Sequence, residues 1–393
     1  MAKKTEGKQT ESIIIQQIEI KQLARGINDI ATWRNALRAA ENPKKPNRLL
    51  LYTLYAEMML DGHLKAVYKK RRNAIIKTKI EFVKPGEKTT NEDVLKIIER
   101  SWFIEMLKIM IDTTAWGHSL IEFLPDPMDP SLGPGKAVLI PRRHVVPELG
   151  YIAKKQGDAS GIPFREPPTS NYVIEVGEVN DFGYLLEAAQ YVIYKRGGFG
   201  DWAQFAEIFG MPFRKGKYNP NDPKSREILI ESLDAAGSAA YAVYPEGTDV
   251  EFVNNTSNNS SSNVYSGLIE MCNRELSKIV LGNTMTTEDG SSESQANVHA
   301  NVEEELNQAD RQWIEFLLND YVKPMLVNTF GLSIFSDGRF KFDDAEDLDT
   351  QLDRELKIAQ HFEIDPTYFK DKYNLPILGA KTGGVVGGNE PKK

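Results

Sequence analysis

At 393 residues, with 41% hydrophobic and 26% charged side chains, the chain has the composition of a soluble globular protein and room for about two or three packed units. Its single cysteine, Cys272, excludes an intramolecular disulfide framework, which makes a reducing site of folding the simplest expectation. The net charge of −8 argues against a protein that grips duplex nucleic acid statically, since such a grip needs clustered Lys and Arg. No apolar run approaches the ~20 residues that span a bilayer, and residues 1–11 lack the apolar core of a signal peptide. A cytoplasmic folder is expected.

Residues 1–11 and 381–393 are polar or glycine-rich without a core-building period, and both read as disordered. Between them, the spacing of Leu50, Leu54, Met58, Leu64 and Val67 predicts a helix from about Arg48 to Ile75, followed by a strand over Ile80–Val83 and a turn at Lys84-Pro85-Gly86. Thr89 and Glu92 form a candidate capping box for a helix whose apolar face runs from Val94 through Trp102 to Met110. Strands follow at Ser119–Leu124, Val138–Ile140 and Tyr172–Val176, with the four prolines of Pro125–Pro134 forcing a loop. The first half reads as mixed α and β with short connections.

The second half alternates differently. A largely helical stretch, Tyr184–Phe209, is interrupted at Gly197-Gly198-Phe199-Gly200. After a turn at Pro220–Pro223 comes a short helix, Ser225–Ala236. Strands at Tyr241–Tyr244 and Val250–Val253, joined at Pro245-Glu246-Gly247, suggest a small hairpin-like module. The Asn, Ser and Thr run at 254–263 is a loop or a cluster of helix-entry caps. Tyr265, Leu268, Ile269, Cys272, Leu276 and Ile279 then mark an amphipathic helix. Beyond the polar loop Gly282–Ser294, a long helix carries Val302, Leu306, Ala309, Trp313, Leu317 and Tyr321, and Pro324 must bend or end it.

Catalytic motifs are weak. The histidines His63, His118, His144, His299 and His361 are scattered without an HExxH pattern. His299 and Glu303 lie one helical turn apart, where an exposed polar pair is far commoner than a shared metal. Cys272 falls on an apolar stripe and reads as a buried small hydrophobe. The Gly197–Gly200 run matches neither GxGxxG nor GxxxxGK[ST], so a hinge is a better reading than a phosphate cradle. Asp343, Asp344, Glu346, Asp347 and Asp349 lack the glycine of a calcium loop, and a solvated helix start is the stronger reading. Lys69, Lys70, Arg71 and Arg72 are compact enough to meet a phosphate, yet a lone basic cluster on a helix is more often surface charge.

Met59–Val67 with Arg71–Ile75, then Trp116–Glu122, then Ile140–His144, and the more specific blocks Trp202–Tyr218 and Leu281–Thr287 with Ala296 and His299, taken in that order, resemble the Mu-like branch of the portal proteins of tailed bacteriophages. A weaker likeness continues over Glu346–Leu378, including Ile364-Asp365-Pro366 and Asn374-Leu375-Pro376. Beside many relatives the chain is short, which implies that extra C-terminal domains are absent.

The resemblance implies an α+β subunit of a dodecameric ring at one capsid vertex. Its expected parts are a wing (α/β, 12–182), a stem helix (183–210), a small β-containing clip (211–258), a second stem helix (259–282), a tunnel loop (283–295), a long bent helix (296–330) and a crown or C-terminal segment (331–380). The channel would be lined by Asn283, Thr284, Thr286, Thr287, Glu288, Asp289, Ser291 and Ser292, small polar groups with two carboxylates that repel phosphates. Arg214, Lys215 and Lys217 would stand in the clip and steer the DNA backbone weakly. Twelve copies at −8 each would carry about −96, which suits sliding duplex better than capture. The implied partners are further copies of the chain, the terminase large subunit, the major capsid protein or scaffold, connector proteins and non-specifically passing DNA. No membrane, cofactor, metal or catalytic residue is implied. The location would be the virion, after assembly in the host cytoplasm. Two rivals stand beside this reading: another connector or minor head protein, and a hydrolase or nuclease using the acidic run near Asp343.

Overall fold

The computed structural model describes residues 14–19, 29–86, 90–209, 214–222, 224–235, 241–246, 258–284, 293–343, 354–358 and 368. The chain divides into a unit of Met1–Phe342 and a second of Asp343–Lys393. In the second unit residues 354–358 are helical, and the Tyr368 hydroxyl donates to Glu355 Oε1 at 2.9 Å.

The first unit is α+β, as expected. Helix α1 (Ile30–Ala40) is capped by Asp29, whose carboxylate accepts from Thr32 N. The expected single helix over Arg48–Ile75 is two, α2 (Leu49–Met58) and α3 (Gly62–Lys77). Asp61 leaves helical backbone (φ −67°, ψ 126°) and caps α3 by accepting from Leu64 N, so the Asp-Gly step is a helix boundary. Strand β1 (Ile80–Val83) stands where expected. The next helix also divides, into α4 (Glu92–Ile98) and α5 (Ser101–Trp116), and Asn91 provides the cap of α4 in place of Thr89, which lies outside the described residues. The apolar face survives the break because the Trp102 indole donates to Ile97 O at 3.0 Å across it.

Strands β2 (Ser119–Pro125), β3 (Pro134–Leu139) and β7 (Val173–Val176) make an antiparallel sheet in the order β3-β2-β7. Between β3 and β7 lies a second small antiparallel sheet of β4 (Val145–Val146), β5 (Tyr151–Ala153) and β6 (Gly161–Pro163).

From there the chain makes an excursion. Helix α6 (Leu185–Phe209) runs unbroken through Gly197–Gly200, so the expected interruption is absent. At 25 residues it is about 37 Å long. Gly198 is where the partner helix approaches, for a Cβ there would meet Leu268 Cδ2 at 3.0 Å. Strand β8 (Arg214–Tyr218), helix α7 (Ser225–Ala235) and strand β9 (Tyr241–Pro245) follow, and α8 (Asn258–Leu281) returns. Strand β9 pairs in parallel with β8, from Arg214↔Tyr241 to Tyr218↔Pro245, through the α7 crossover that parallel pairing demands, a pairing the sequence did not suggest. Val250–Val253 lies outside the described residues.

Helix α9 (Glu293–Leu317) passes through a π turn (Leu318–Val322) into α10 (Lys323–Asn328). Pro324 stands at the start of α10 directly after the π turn, where the regular ladder of backbone hydrogen bonds is already interrupted. The π turn adds a residue and moves burial from Tyr321, which is exposed, to Val322. Val302 and Ala309, on the expected stripe, are exposed too, while Asp310, Ile314 and Leu318 face inward. Strand β10 (Arg339–Phe342) pairs antiparallel with β1, so part of the expected 331–380 segment belongs to the first unit. Asn319 of the π turn clamps the strand: its amide donates to Phe340 O and accepts from Phe340 N, both at 2.9 Å.

Three buried apolar clusters hold the unit together; the smallest gathers Leu120, Ile140, Val145, Ile152 and Phe164, and two are larger. One joins Trp102, Phe123, Ile314, Phe335 and Phe340 across α5, the β2 sheet, α9 and β10. The other joins Tyr55, Leu64, Val192 and Leu276 across α2, α3, α6 and α8. Truncating any of their large side chains costs on the order of 3–5 kcal/mol.

Candidate functional site

The helix pair α6–α8 is antiparallel, since Phe205 meets Tyr265 (ring centroids 5.9 Å apart), Gly198 meets Leu268, and Val192 shares a core with Leu276 and Val280. Its inward face is buried at the root, and apolar side chains point outward along its length. Leu185, Ala188, Ala189 and Val192 are fully buried, whereas Tyr194 (54% exposed), Phe199 (47%), Met271 (51%) and Val264 (69%) point apolar surface outward.

Charge is buried at the root. The basic run on α3, expected at the surface, is largely spent on carboxylates. The Arg71 guanidinium donates bidentately to Asp310 of α9 at 2.7 and 2.8 Å, and to Val280 O near the end of α8 at 3.1 Å, while lying 5.4 Å from the centre of the Tyr184 ring. Lys70 pairs with Glu303 at 2.8 Å and Arg72 with Asp112 at 3.6 Å. Lys69 is exposed. Lys195 of α6 pairs with the capping Asp61 at 2.8 Å, each side chain 7% exposed. Arg48 reaches Glu148 at 2.8 Å and Asp181 O at 3.0 Å, and donates also to Val179 O. Arg142 is half-buried: it donates to His118 O and Ser119 Oγ and lies over Trp116 at 4.8 Å, and its desolvation pulls its pKa down.

The titratable groups respond as burial dictates. Burial lowers the pKa of His118 against the pull of Glu175, whose carboxylate stands 2.9 Å from its Nε2. Burial opposes ionisation of Glu175 as well, but hydrogen bonds from Arg165 and His118 win and bring its pKa down to about 2. Burial raises Asp112 despite Tyr68 and Arg72, and burial raises Tyr184.

Among the channel residues expected from the sequence, Asn283 is buried (4% exposed) and so belongs to the subunit's own packing, and Thr284 is half-buried. Thr286, Thr287, Glu288, Asp289, Ser291 and Ser292 lie outside the described residues, as do Asp344, Glu346, Asp347 and Asp349 of the acidic run. Arg214, Lys215 and Lys217 share β8, with Lys217 exposed. His299 lies on α9, and Glu303 is engaged with Lys70. Cys272 is buried, as its stripe predicts. Sequence reasoning missed Asp310, Lys195 and Arg142, whose partners are distant in the chain. The polar positions at 307 and 310 on the inward face of α9 were the available signal. Among the described residues no group of three or more His, Cys, Asp or Glu could hold a metal, and no helix is long and apolar enough to cross a membrane.

An α+β body whose chain leaves on one long helix, builds a small βαβ module and returns on a second helix defines a class of subunit with a projecting arm. Residues 52–375 match the family model described as the portal protein of Mu bacteriophage, and the chain belongs to that family. It is 29% identical over 215 residues to the Mu-like prophage FluMu protein gp29 of Haemophilus influenzae, a match covering 52% of this chain and 41% of that protein. To the portal protein of Escherichia phage Mu it is 28% identical over 193 residues, covering 47% and 37%. The matched stretches therefore span less than half of either relative. Among solved structures, the neck of an empty GTA particle is similar at 12% identity and a TM-score of 0.49, over 82% of this chain and 93% of that one. An HK97 family phage portal protein from Corynebacterium diphtheriae is similar at 13% identity and a TM-score of 0.38, over 76% and 96%.

Proposed function

We propose that the chain is the subunit of a phage portal, a ring at one capsid vertex through which DNA is packaged and ejected. The observation that carries this reading is the α6–βαβ–α8 arm, in a chain of the Mu portal family, with apolar side chains exposed along it. A lone soluble subunit gains nothing from such a surface, whereas a neighbouring copy would cover it. In this reading α6 and α8 belong to the stem, β8–α7–β9 to the clip (211–258), residues 283–295 are the tunnel loop and 296–330 the bent helix. Twelve copies form the ring. Its partners are the terminase large subunit, capsid or scaffold protein and connectors, and its place is the virion after assembly in the host cytoplasm. The work is mechanical: the subunit positions surfaces, while nucleotide hydrolysis belongs to the motor it docks.

Negative-stain electron microscopy of the purified full chain across a concentration series tests this. The expected result is rings with a central hole wide enough for duplex DNA. A compact monomer at every concentration would overturn the reading in favour of a minor head protein, and divalent-dependent cleavage of DNA, lost on mutating Asp343 and Asp347, would favour a nuclease.

A further inference from the structure

The β8–β9 pair is a parallel sheet of two strands, and parallel sheets are almost always covered on both faces. One cover is identifiable. Side chains alternate along a strand, and the Gly216 position faces α7, where a Cβ would come within 2.8 Å of Leu229 Cδ2. Val243, opposite Gly216, therefore shares the α7 side, while Lys217 and its register partner Tyr244 present the other face. Lys217 is exposed and Tyr244 half-buried, so that face offers a cation beside an aromatic ring.

The outer side of α7 has the complementary chemistry. Leu229, Ile230 and Leu233 are half-buried, whereas Ile228 is 60% exposed and is flanked by the exposed Glu227 and Glu231, one helical turn apart. A large apolar side chain framed by two carboxylates is what a face of lysine and tyrosine would accept.

We infer that the face of the β8–β9 pair away from α7, exposed at Lys217 among the described residues, seats the outer face of α7 from a neighbouring copy, with Ile228 against Tyr244 and Glu227 and Glu231 around Lys217. The contact is heterologous: each copy offers one face and receives the other, so repetition generates a ring when the rotation closes. It rests on the ring reading above and adds to it the surface by which adjacent modules stack in one direction.

The test uses the full chain. Lys217→Cys and Ile228→Cys are introduced singly and together and treated with a short bis-maleimide; native Cys272 is buried. The paired variant should give a ladder of covalent oligomers, and each single variant none beyond the wild-type background. In parallel, Lys217→Glu should raise the concentration for half-assembly at least tenfold, and Lys217→Glu combined with Glu227→Lys and Glu231→Lys should restore it. Wild-type rings with no ladder from the paired variant overturn this docking while leaving the ring intact. A wild-type chain that never assembles overturns both.

Discussion

Arg71 and Asp310 are the contact on which the seating of α9 depends. Both side chains are almost wholly enclosed, 10% and 7% exposed, and the pair is bidentate. Replacing Arg71 by Met removes the guanidinium and leaves the Asp310 carboxylate buried without its partner, a loss of about 3–5 kcal/mol. With a urea slope of about 2–3 kcal/mol per molar, the unfolding midpoint should fall by about 1–2.5 M. Arg71→Met with Asp310→Leu removes both charges, and should return stability to the wild-type value or raise it by about 1–4 kcal/mol. Lys70 is the internal control. Its side chain is 41% exposed, so Lys70→Ala should cost no more than about 1 kcal/mol despite the similar distance to Glu303. The assay is a urea double-mutant cycle on the full chain, with hydrogen exchange of α9 amides as the local readout. If the two single losses simply add in the double variant, within about 0.5 kcal/mol, the pair is not a coupled unit and the reasoning fails.

Three further outcomes are expected. His118 has a lowered folded-state pKa, so the unfolded chain takes the proton first on acidification; its contribution is complete above the ordinary histidine value and is lost as pH falls through that value. Glu175, at about 2, adds loss below the ordinary carboxylate range, so the melting temperature should fall in two stages between pH 7.5 and 3.5, and His118→Gln should remove the first. Gly197→Ala, into open space on α6, should stabilise by about 0.5–1 kcal/mol, whereas Gly198→Leu, driven into Leu268, should destabilise; thermal unfolding of the pair decides between a helix contact and a hinge. Asn319→Ala should cost about 2–4 kcal/mol by stranding the buried N–H and C=O of Phe340, as read from denaturant midpoints, and a loss below 1 kcal/mol would mean that β10 repairs itself from another partner.

What the sequence made legible was local. Ile80–Val83, Ser119–Leu124, the helix carrying Cys272 and the long helix before Pro324 were all readable because apolar spacing reports the face that a core will cover. It failed where that signal is blind. Apolar spacing carried across Asp61-Gly62 and across Glu99-Arg100, because a capped kink can keep the same face inward. Strand β8, Arg-Lys-Gly-Lys-Tyr, has no apolar alternation, and its pairing with Tyr241–Pro245 is a long-range choice. The glycines of α6 signal a break by propensity alone, yet Gly198 is there for the approach of α8. The candidate site was the least legible part. Its channel residues came from likeness to a family, while the buried pairs Arg71–Asp310 and Lys195–Asp61 join positions that no local pattern connects.

The distribution of charge along the arm bears on how a ring would close. Apolar packing alone lets a helix slide or roll by small steps at modest cost, whereas a bidentate guanidinium–carboxylate pair fixes direction as well as distance. The root of the arm carries several such constraints: Lys195 on Asp61, Arg196 donating to Glu57 O at 2.6 Å, and Arg71 tying α9 to the end of α8. Beyond Lys195 some 14 residues of α6 remain, about 21 Å of helix. A tilt of about 5° at the root would move the distal end by about 2 Å, which is enough to break apolar contacts made within about 4.5 Å. In a heterologous ring the same error enters at every interface and closure amplifies it. In such a ring, buried charge at the root would set the angle at which the apolar surface along the arm is presented.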